Sequence, residues 1–112
     1  AKYFEWLFFL QSDVDAPLWE IEGHKWRYSE EIRSKKMIVQ YSEQINKSLS
    51  YISSNLKEGD FLLGDKFTLV DIITGHLLKW AKGRELLNDF PKLESYLNSI
   101  MQRPGYPSQL GQ

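Results

Sequence analysis

Apolar side chains recur at intervals of three and four residues along most of this chain, which is the spacing that places them on one face of an α-helix. The clearest case is the segment from Ser29 to Leu56, whose single stripe consists of Ile38, Tyr41, Ile45, Leu49, Ile52 and Leu56. Polar residues occupy the other face of the same segment. We therefore predict one long helix here, with Ser29 as its N-cap and residues 57–60 as its stop.

The first segment, from Lys2 to Trp19, is apolar around the whole helix axis instead of along one stripe. Its large apolar residues are Tyr3, Phe4, Trp6, Leu7, Phe8, Phe9 and Leu10. Such a helix is expected to be covered on every side, and Pro17 is expected to kink or end it. Residues 20–28 would then form a connection. Because the apolar pattern begins at once, without a capping residue, we expect the sequence to be a fragment of a longer chain.

Two further helices are predicted in the second half of the chain. The segment from Thr68 to Lys82 has few polar positions, so we expect it to be the buried central helix, with His76 hydrogen-bonded inside the core. The segment from Pro91 to Arg103 begins with a proline and carries another apolar stripe. The best strand signal, at residues 60–64, is too short to count. We predict an all-α fold, a right-handed bundle of four or more helices, forming a single domain over residues 1–112.

Composition excludes several classes of function. The 14 basic and 15 acidic residues give a net charge of −1 without a block of like charge, so neither nucleic acid nor a membrane is expected as a partner. The sequence has no cysteine, which rules out a disulfide scaffold, a thiolate zinc site and a cysteine nucleophile. Two histidines far apart in the sequence argue against a metal site. The most apolar run, residues 6–10, is far shorter than the roughly 20 residues that cross a bilayer, and we expect a cytoplasmic location.

The most specific local signal lies at residues 67–72. Thr68 is placed to cap the following helix by accepting from the backbone N–H of Asp71, and the Asp71 carboxylate is placed to accept from the N–H of Thr68. This reciprocal arrangement is a capping box, here with aspartate where glutamate is usual. A buried helix needs it because water cannot reach its first N–H groups. For Thr68 and Asp71 we therefore predict structural capping and no catalytic role.

The sequence around this capping box resembles a known family. The box is preceded by Leu-Leu-Gly-Asp at residues 62–65, and it is followed by Pro91-Lys-Leu, by Tyr96-Leu and by Arg103-Pro. This series is similar to the C-terminal domain of cytosolic glutathione transferases, most closely from Phe61 to Tyr106. The resemblance implies a helical domain that supplies much of the apolar pocket for an electrophile and much of a homodimer surface. It also implies a thioredoxin-like domain that binds glutathione as the co-substrate, and no part of this sequence has the pattern of that domain.

The resemblance further implies that the first helix lies between the pocket and the partner subunit. Residues at helical spacing on the pocket side would contact a small apolar electrophile, namely Phe4, Phe8, Ser12 and Asp15. Residues on another side would contact the partner subunit, namely Trp6, Phe9 and Asp13. The alternative for Phe4 and Phe8 is packing in the core, and the alternative for the two aspartates is a solvated helix surface.

Two functions follow from this resemblance. In the first, the parent protein conjugates glutathione to an electrophile or transfers a thiol, while this domain shapes the acceptor pocket and has no catalytic residue or cofactor of its own. The chain alone is then expected to be inactive. In the second, the chain is a non-catalytic interaction module, as similar helical domains are in translation factors and aminoacyl-tRNA synthetases, and its aromatic first helix binds a protein. The sequence upstream of Ala1 would separate the two.

Overall fold

The computed structural model describes residues 2–56 and 61–105, and every regular element in those ranges is helical. The elements are α1 (Lys2–Phe9), a first π-helical turn (Leu10–Asp15), α2 (Ala16–Glu22), a second π-helical turn (Gly23–Arg27), α3 (Lys35–Asn55), α4 (Leu69–Gly83) and α5 (Pro91–Met101). The first four run on without a break in helical backbone and together form what we call the N-terminal helix, residues 2–27. Within the described ranges, extended pairing is limited to an isolated bridge between Phe61 and Gly64. The all-α prediction is confirmed.

The N-terminal helix and α3 pack as an antiparallel pair. Contacts between them run in opposite directions along the two helices: Trp6 with Tyr51, Asp13 with Ser48, and His24 with Ser34. The connection between them is short, residues 28–34, and it lies at the end of the pair that is remote from α1.

The last two helices form a second pair beside the first. Trp19 contacts Trp80, and Glu22 contacts Arg84 just beyond α4, so α4 runs in the same direction as the N-terminal helix. The chain then turns back, and Tyr96 of α5 meets Asp71 at the start of α4. None of the described helices combines the length and apolarity needed to span a bilayer.

One buried stripe joins the N-terminal helix to the core, and its members are Trp6, Leu10, Val14, Leu18 and Ile21. Three of its four steps are four residues long. In an α-helix a step of four overshoots one turn by about 40°, so three such steps would carry the stripe about 120° around the axis. A π-helical turn holds more residues, and the turn at Leu10–Asp15 keeps the stripe on one face.

Pro17 does not end the N-terminal helix, which was one of the two outcomes, a kink or an end, that the sequence predicted. Proline has no N–H to donate to the carbonyl four residues earlier, which here belongs to Asp13. The hydroxyl of Ser48, on α3, donates to that carbonyl oxygen at 2.8 Å, while the N–H of Ala16 reaches back five residues to Gln11. The π-helical turn and Ser48 together compensate for the missing proline N–H, and the helix continues. The expected connection at residues 20–28 is therefore helical as far as Arg27.

The start of α3 lies later than predicted. Its N-cap is Ser34, whose Oγ accepts from the N–H of Met37 at 3.2 Å, and not Ser29. Ser29 instead begins a turn, with its carbonyl accepting from the N–H of Ile32 at 3.0 Å. Arg33 ties this turn to the N-terminal helix through two hydrogen bonds to backbone carbonyls. The predicted stop of α3 at residues 57–60 lies outside the described residues. Tyr106, the last residue of the range most similar to the known family, lies outside them as well.

The central helix α4 was predicted correctly, but its histidine was not. His76 is exposed, and the polar side chains buried in this helix are those of Asp71 and Thr74; the Oγ1 of Thr74 donates to the carbonyl of Val70 at 2.7 Å. The apolar residues around His76 are dense enough in the sequence to predict a helix that is buried on all sides. In the structure one side of α4, which includes His76, faces solvent.

The C-terminal end of α4 is closed by a Schellman motif. The N–H of Leu86 donates to the carbonyl of Ala81 at 2.9 Å, and the N–H of Glu85 donates to that of Lys82 at 3.0 Å. The motif requires a residue in the left-handed region, where glycine is usual. That residue is Glu85, with φ of 61°.

Candidate functional site

The side of α1 that carries Phe4 and Phe8 is open to solvent. The two rings are 60% and 72% exposed and stand one helical turn apart, so they lie on the same side of the helix. Ser12 is exposed one turn further on, and its Oγ donates to the carbonyl of Phe8 at 2.9 Å. We call Phe4, Phe8 and Ser12 the aromatic face. Asp15 is half-buried and lies at the end of the π-helical turn that follows.

The aromatic face corrects the expectation that the first helix is covered on every side. Core packing does not account for Phe4 or Phe8, since both rings lie outside the buried cluster. The next feature along the helix is the π-helical turn at Leu10–Asp15, a type of turn that often lies at functional sites. The structure thus brings together an apolar surface and an irregular helical turn.

The residues expected on the dimer side lie beside α3. Trp6 is only 7% exposed, and its ring packs edge-on against Phe9 with centroids 5.5 Å apart. Tyr51 of α3 completes this aromatic cluster, 5.6 Å from Trp6 and 4.9 Å from Phe9. Asp13 is half-buried, and its carbonyl is occupied by Ser48. Because Trp6 is covered by its own chain, a partner subunit would reach only its edge.

Sequence reasoning missed Tyr51. It is 51% exposed and stands off the buried stripe of α3, at a position that the pattern assigns to the polar face. A large ring among serines and charged residues was the available signal. A small cleft of about 90 Å³ opens beside the cluster and is also lined by Lys2, Glu5 and Asn55.

A second group of aromatic residues lies at the other end of the N-terminal helix. The guanidinium of Arg27 lies 5.2 Å from the ring centroids of both Trp19 and Tyr28, and it donates to the carbonyl of Trp19 at 2.9 Å. Trp26 and Ile32 are 59% and 61% exposed nearby. No pattern in the sequence indicated a role for this end, and we call these five residues the arginine–tryptophan end.

Glu22 is a buried carboxylate held by an ion pair. The guanidinium of Arg84 binds it in a bidentate manner, with Nε donating to Oε2 at 2.9 Å and Nη2 donating to Oε1. Trp26 donates from Nε1 to the same carboxylate at 3.3 Å. The hydrogen bonds from Arg84 lower the pKa of Glu22 below its usual value, although burial acts in the opposite direction. The pair joins the N-terminal helix to the end of α4.

Asp71 is fully buried, and its carboxylate accepts three hydrogen bonds. The donors are the N–H of Leu62 at 3.1 Å, the N–H of Thr68 at 2.9 Å and the hydroxyl of Tyr96 at 2.6 Å. The hydroxyl of Thr68 caps α4 in return, accepting from the N–H of Val70 at 3.2 Å, and both halves of the capping box are present. Burial, together with the neighbouring carboxylate, raises the pKa of the Tyr96 hydroxyl far above its ordinary value.

Neither buried carboxylate lies on the aromatic face. The side chains of both Asp71 and Glu22 are occupied by donors from their own chain, so their geometry is that of structural groups. A further open groove, of about 750 Å³, lies between α3 and residues 85–89, and none of the candidate site residues predicted from the sequence lines it.

Comparison with protein families gives a match over most of the chain. The family model described as glutathione S-transferase, C-terminal domain matches residues 5–104. The matched range includes Phe8 and Ser12 of the aromatic face, the residues at the arginine–tryptophan end and the capping box. Comparison with curated proteins and with solved structures gives no match.

Proposed function

Because this chain belongs to the glutathione S-transferase C-terminal domain family, we propose that it is the helical part of a glutathione-transferase-like protein and holds an apolar electrophile for glutathione conjugation or thiol transfer. The exposure of Phe4 and Phe8 on one side of α1 carries this proposal. Two exposed phenyl rings one turn apart form a surface that an apolar molecule can cover with a gain of about 25 cal/mol per Å². Ser12 and Asp15 would supply polar contacts at the end of that surface.

The chemistry of the glutathione thiol belongs, in this proposal, to a thioredoxin-like domain outside residues 1–112. The sequence has no cysteine, and neither Asp71 nor Glu22 is placed to accept a proton from a ligand. The helical domain contributes by holding the electrophile in position, which raises its effective concentration near the thiolate. The whole would form a pocket between the aromatic face and the second domain.

We place a homodimer surface around Phe9 and Asp13, with Trp6 supporting the ring of Phe9 from within the chain. Phe9 keeps part of its ring exposed beside Tyr51. This assignment changes the expected role of Trp6 from direct contact with a partner to support of the contact residue.

The aromatic face, as the wall of the pocket that this chain supplies, is tested on the 112-residue chain with 1,3-dinitrobenzene, an unreactive aryl compound. Backbone amide signals of α1 should shift in NMR spectra on its addition, and the shifts should disappear in a Phe4→Ser, Phe8→Ser double variant. Val39→Ser is the matched control, because Val39 is 58% exposed on α3 and lies outside the aromatic face. Shifts that survive the double variant, or that vanish in the control as well, would contradict the proposal.

The assignment of glutathione binding to the other domain is tested separately, with glutathione itself. The chain alone should neither bind glutathione in calorimetry nor turn over an aryl halide above the uncatalysed rate, because the donors that lower the thiol pKa are assigned to the other domain. Stoichiometric binding would overturn that division while leaving the aromatic face in place.

An interaction module is the second candidate, and the arginine–tryptophan end favours it. Exposed Trp and Arg side chains are enriched among the residues that dominate protein interfaces, and both Trp26 and Ile32 are more than half exposed. In this case a protein partner, and not a small aryl compound, would perturb the signals of residues 19–33.

A further inference from the structure

His24 lies where the N-terminal helix meets the connection to α3. Its side chain is only 10% exposed. The ring packs edge-on against Tyr28, with centroids 5.1 Å apart, and is stacked on the ring of Tyr41 of α3, with centroids 6.3 Å apart and the planes inclined by 21°. Its position is therefore fixed by one aromatic ring from the connection and another from α3.

The imidazole also makes a hydrogen bond across the connection. Its Nδ1 accepts from the backbone N–H of Ser34 at 3.2 Å. Ser34 is the N-cap of α3, and its hydroxyl accepts from the N–H of Met37. A nitrogen that accepts carries no proton, so the neutral ring has its hydrogen on Nε2, which faces Oε1 of Glu20 at 3.9 Å.

We propose that His24 is a pH-sensitive latch, which in its neutral form fastens the first turn of α3 to the N-terminal helix and on protonation releases it. A proton taken from solvent binds the lone pair of Nδ1, which is the lone pair that accepts from Ser34. Two N–H groups then point at each other, and the hydrogen bond is lost. Histidine is the side chain whose charge ordinarily changes between pH 5 and 8.

The charged and titratable groups around the ring determine which part of the chain is released when His24 is protonated. Glu20 attracts the imidazolium, but it lies on the same helix as His24, so their ion pair does not hold α3. Tyr28 donates its hydroxyl to Glu20 at 2.9 Å, and Tyr41 contributes only its ring face.

Two arginines near the latch stay in place when it opens. Arg33 keeps its bonds to the carbonyls of Tyr28 and Trp26, and Arg27 keeps its bond to the carbonyl of Trp19. Because these bonds hold residue 33, the released part is confined to the first turn of α3, from Ser34 to Met37.

The latch is tested by NMR on the chain between pH 8 and pH 5. At pH 8 the ¹⁵N spectrum of His24 should show the tautomer protonated at Nε2. The amide signals of Ser34 and Met37 should then move in one step with the titration of His24, and the exchange protection of the Ser34 amide should fall about tenfold, the loss of roughly one hydrogen bond. Ser34 and Met37 signals that stay constant while His24 titrates would overturn the proposal.

Three variants sharpen the test. In His24→Asn, Oδ1 is bonded to Cγ as Nδ1 is, so it can accept from Ser34 without titrating, and the Ser34 and Met37 signals should not depend on pH. His24→Phe keeps a ring but has no acceptor, so its pH 8 spectrum should resemble that of the acid form. His76→Gln removes the exposed histidine of α4 and should leave the titration unchanged. A His24→Asn variant that titrates like the wild type would contradict the latch, whether or not His24→Phe folds.

Discussion

At Asp71, donors from three parts of the chain depend on one carboxylate. Leu62 lies in the turn before α4, Thr68 at the helix start and Tyr96 in α5. All three donors lose their partner together if the carboxylate is removed, and a buried donor without a partner costs about 1–3 kcal/mol. This residue therefore does more than a capping residue, whose loss costs about 0.5–2 kcal/mol.

We expect Asp71→Ala to lower the free energy of unfolding by about 2–5 kcal/mol, because three donors are left unpaired. Asp65→Ala, which removes an exposed carboxylate from the same loop, is the matched control and should change it by less than about 0.5 kcal/mol. Urea unfolding followed by circular dichroism measures both. A loss below about 1 kcal/mol for Asp71→Ala would mean that water replaces the carboxylate.

Local signals at the residue scale were readable from the sequence, whereas distant partners were not. The Thr68–Asp71 pair is separated by three residues, so its spacing alone indicates the contact. Tyr96 is 25 residues from Asp71, and no periodicity links them. His76 was misjudged for a related reason, because the side of α4 that faces solvent depends on how the other helices pack.

At the scale of the helical element, Pro17 and Ser48 form a coupled pair. We expect Ser48→Ala to cost about 1–2 kcal/mol, because the carbonyl of Asp13 loses its donor. In a Pro17→Ala background residue 17 regains an N–H that can serve the same carbonyl, so the cost of Ser48→Ala should fall to half or less. A double-mutant cycle measured by urea unfolding gives this coupling.

Ser50→Ala is the control for helix propensity in that cycle, since Ser50 is exposed on the same helix. An equal cost of Ser48→Ala in both backgrounds would show that Ser48 does not compensate for the proline.

The Schellman motif at the end of α4 predicts a stabilising substitution. Glu85→Gly should raise the free energy of unfolding by about 0.5–1 kcal/mol, because the left-handed conformation costs a residue with a Cβ about 1–2 kcal/mol and glycine regains part of this. Glu85→Ala keeps the Cβ and removes the charge, so it should give no gain. Thermal unfolding distinguishes the two, and an equal effect of both variants would assign it to charge instead of backbone strain.

Element boundaries could be predicted where one pattern dominates. The start of α4 at its capping box and the proline start of α5 are both where the sequence indicated them. The N-terminal helix was cut short in the prediction because the compensation for Pro17 comes from a residue 35 positions away from Asp13. The start of α3 was placed too early because Ser29 and Ser34 are both acceptable N-caps, and the tertiary contacts of Arg33 and of the Ser34 N–H favour the second.

For the whole molecule, the Glu22–Arg84 pair predicts a pH dependence. The pKa of Glu22 is lowered in the folded state from the ordinary glutamate value of 4.5, so the folded state binds fewer protons than the unfolded state in acid. Its contribution to stability is complete above about pH 5 and is lost as the pH falls through 4.5 and below. In Glu22→Gln, stability should therefore fall less steeply between pH 5 and 3 than in the wild type. Glu43→Gln, an exposed control, should keep the wild-type slope in urea unfolding.

The aromatic face predicts association of the chain. Covering a few hundred Å² of apolar surface would favour association by several kcal/mol before the entropy cost is subtracted, at about 25 cal/mol per Å². We expect sedimentation at micromolar concentration to show a dimer or larger species, and a Phe4→Ser, Phe8→Ser variant to shift it towards the smaller species that the contact at Phe9 and Asp13 alone supports. A wild type that sediments as a clean monomer would contradict this expectation.

The π-helical turn at Leu10–Asp15 also lets the N-terminal helix accommodate a change of one residue in the length of the chain. Such turns close their hydrogen bonds over one residue more than an α-helix does, so deleting a single residue there would restore α-helical bonding. The distance from Trp6 to Leu18 would then be eleven residues instead of twelve, and eleven α-helical residues make three turns with about 20° to spare. Trp6 would therefore stay on the buried stripe, and Phe4 and Phe8 would keep nearly the same direction. Related chains that lack one residue at this point should carry their exposed rings on the same side of the helix, and an alignment that omits the gap would compare the wrong side chains.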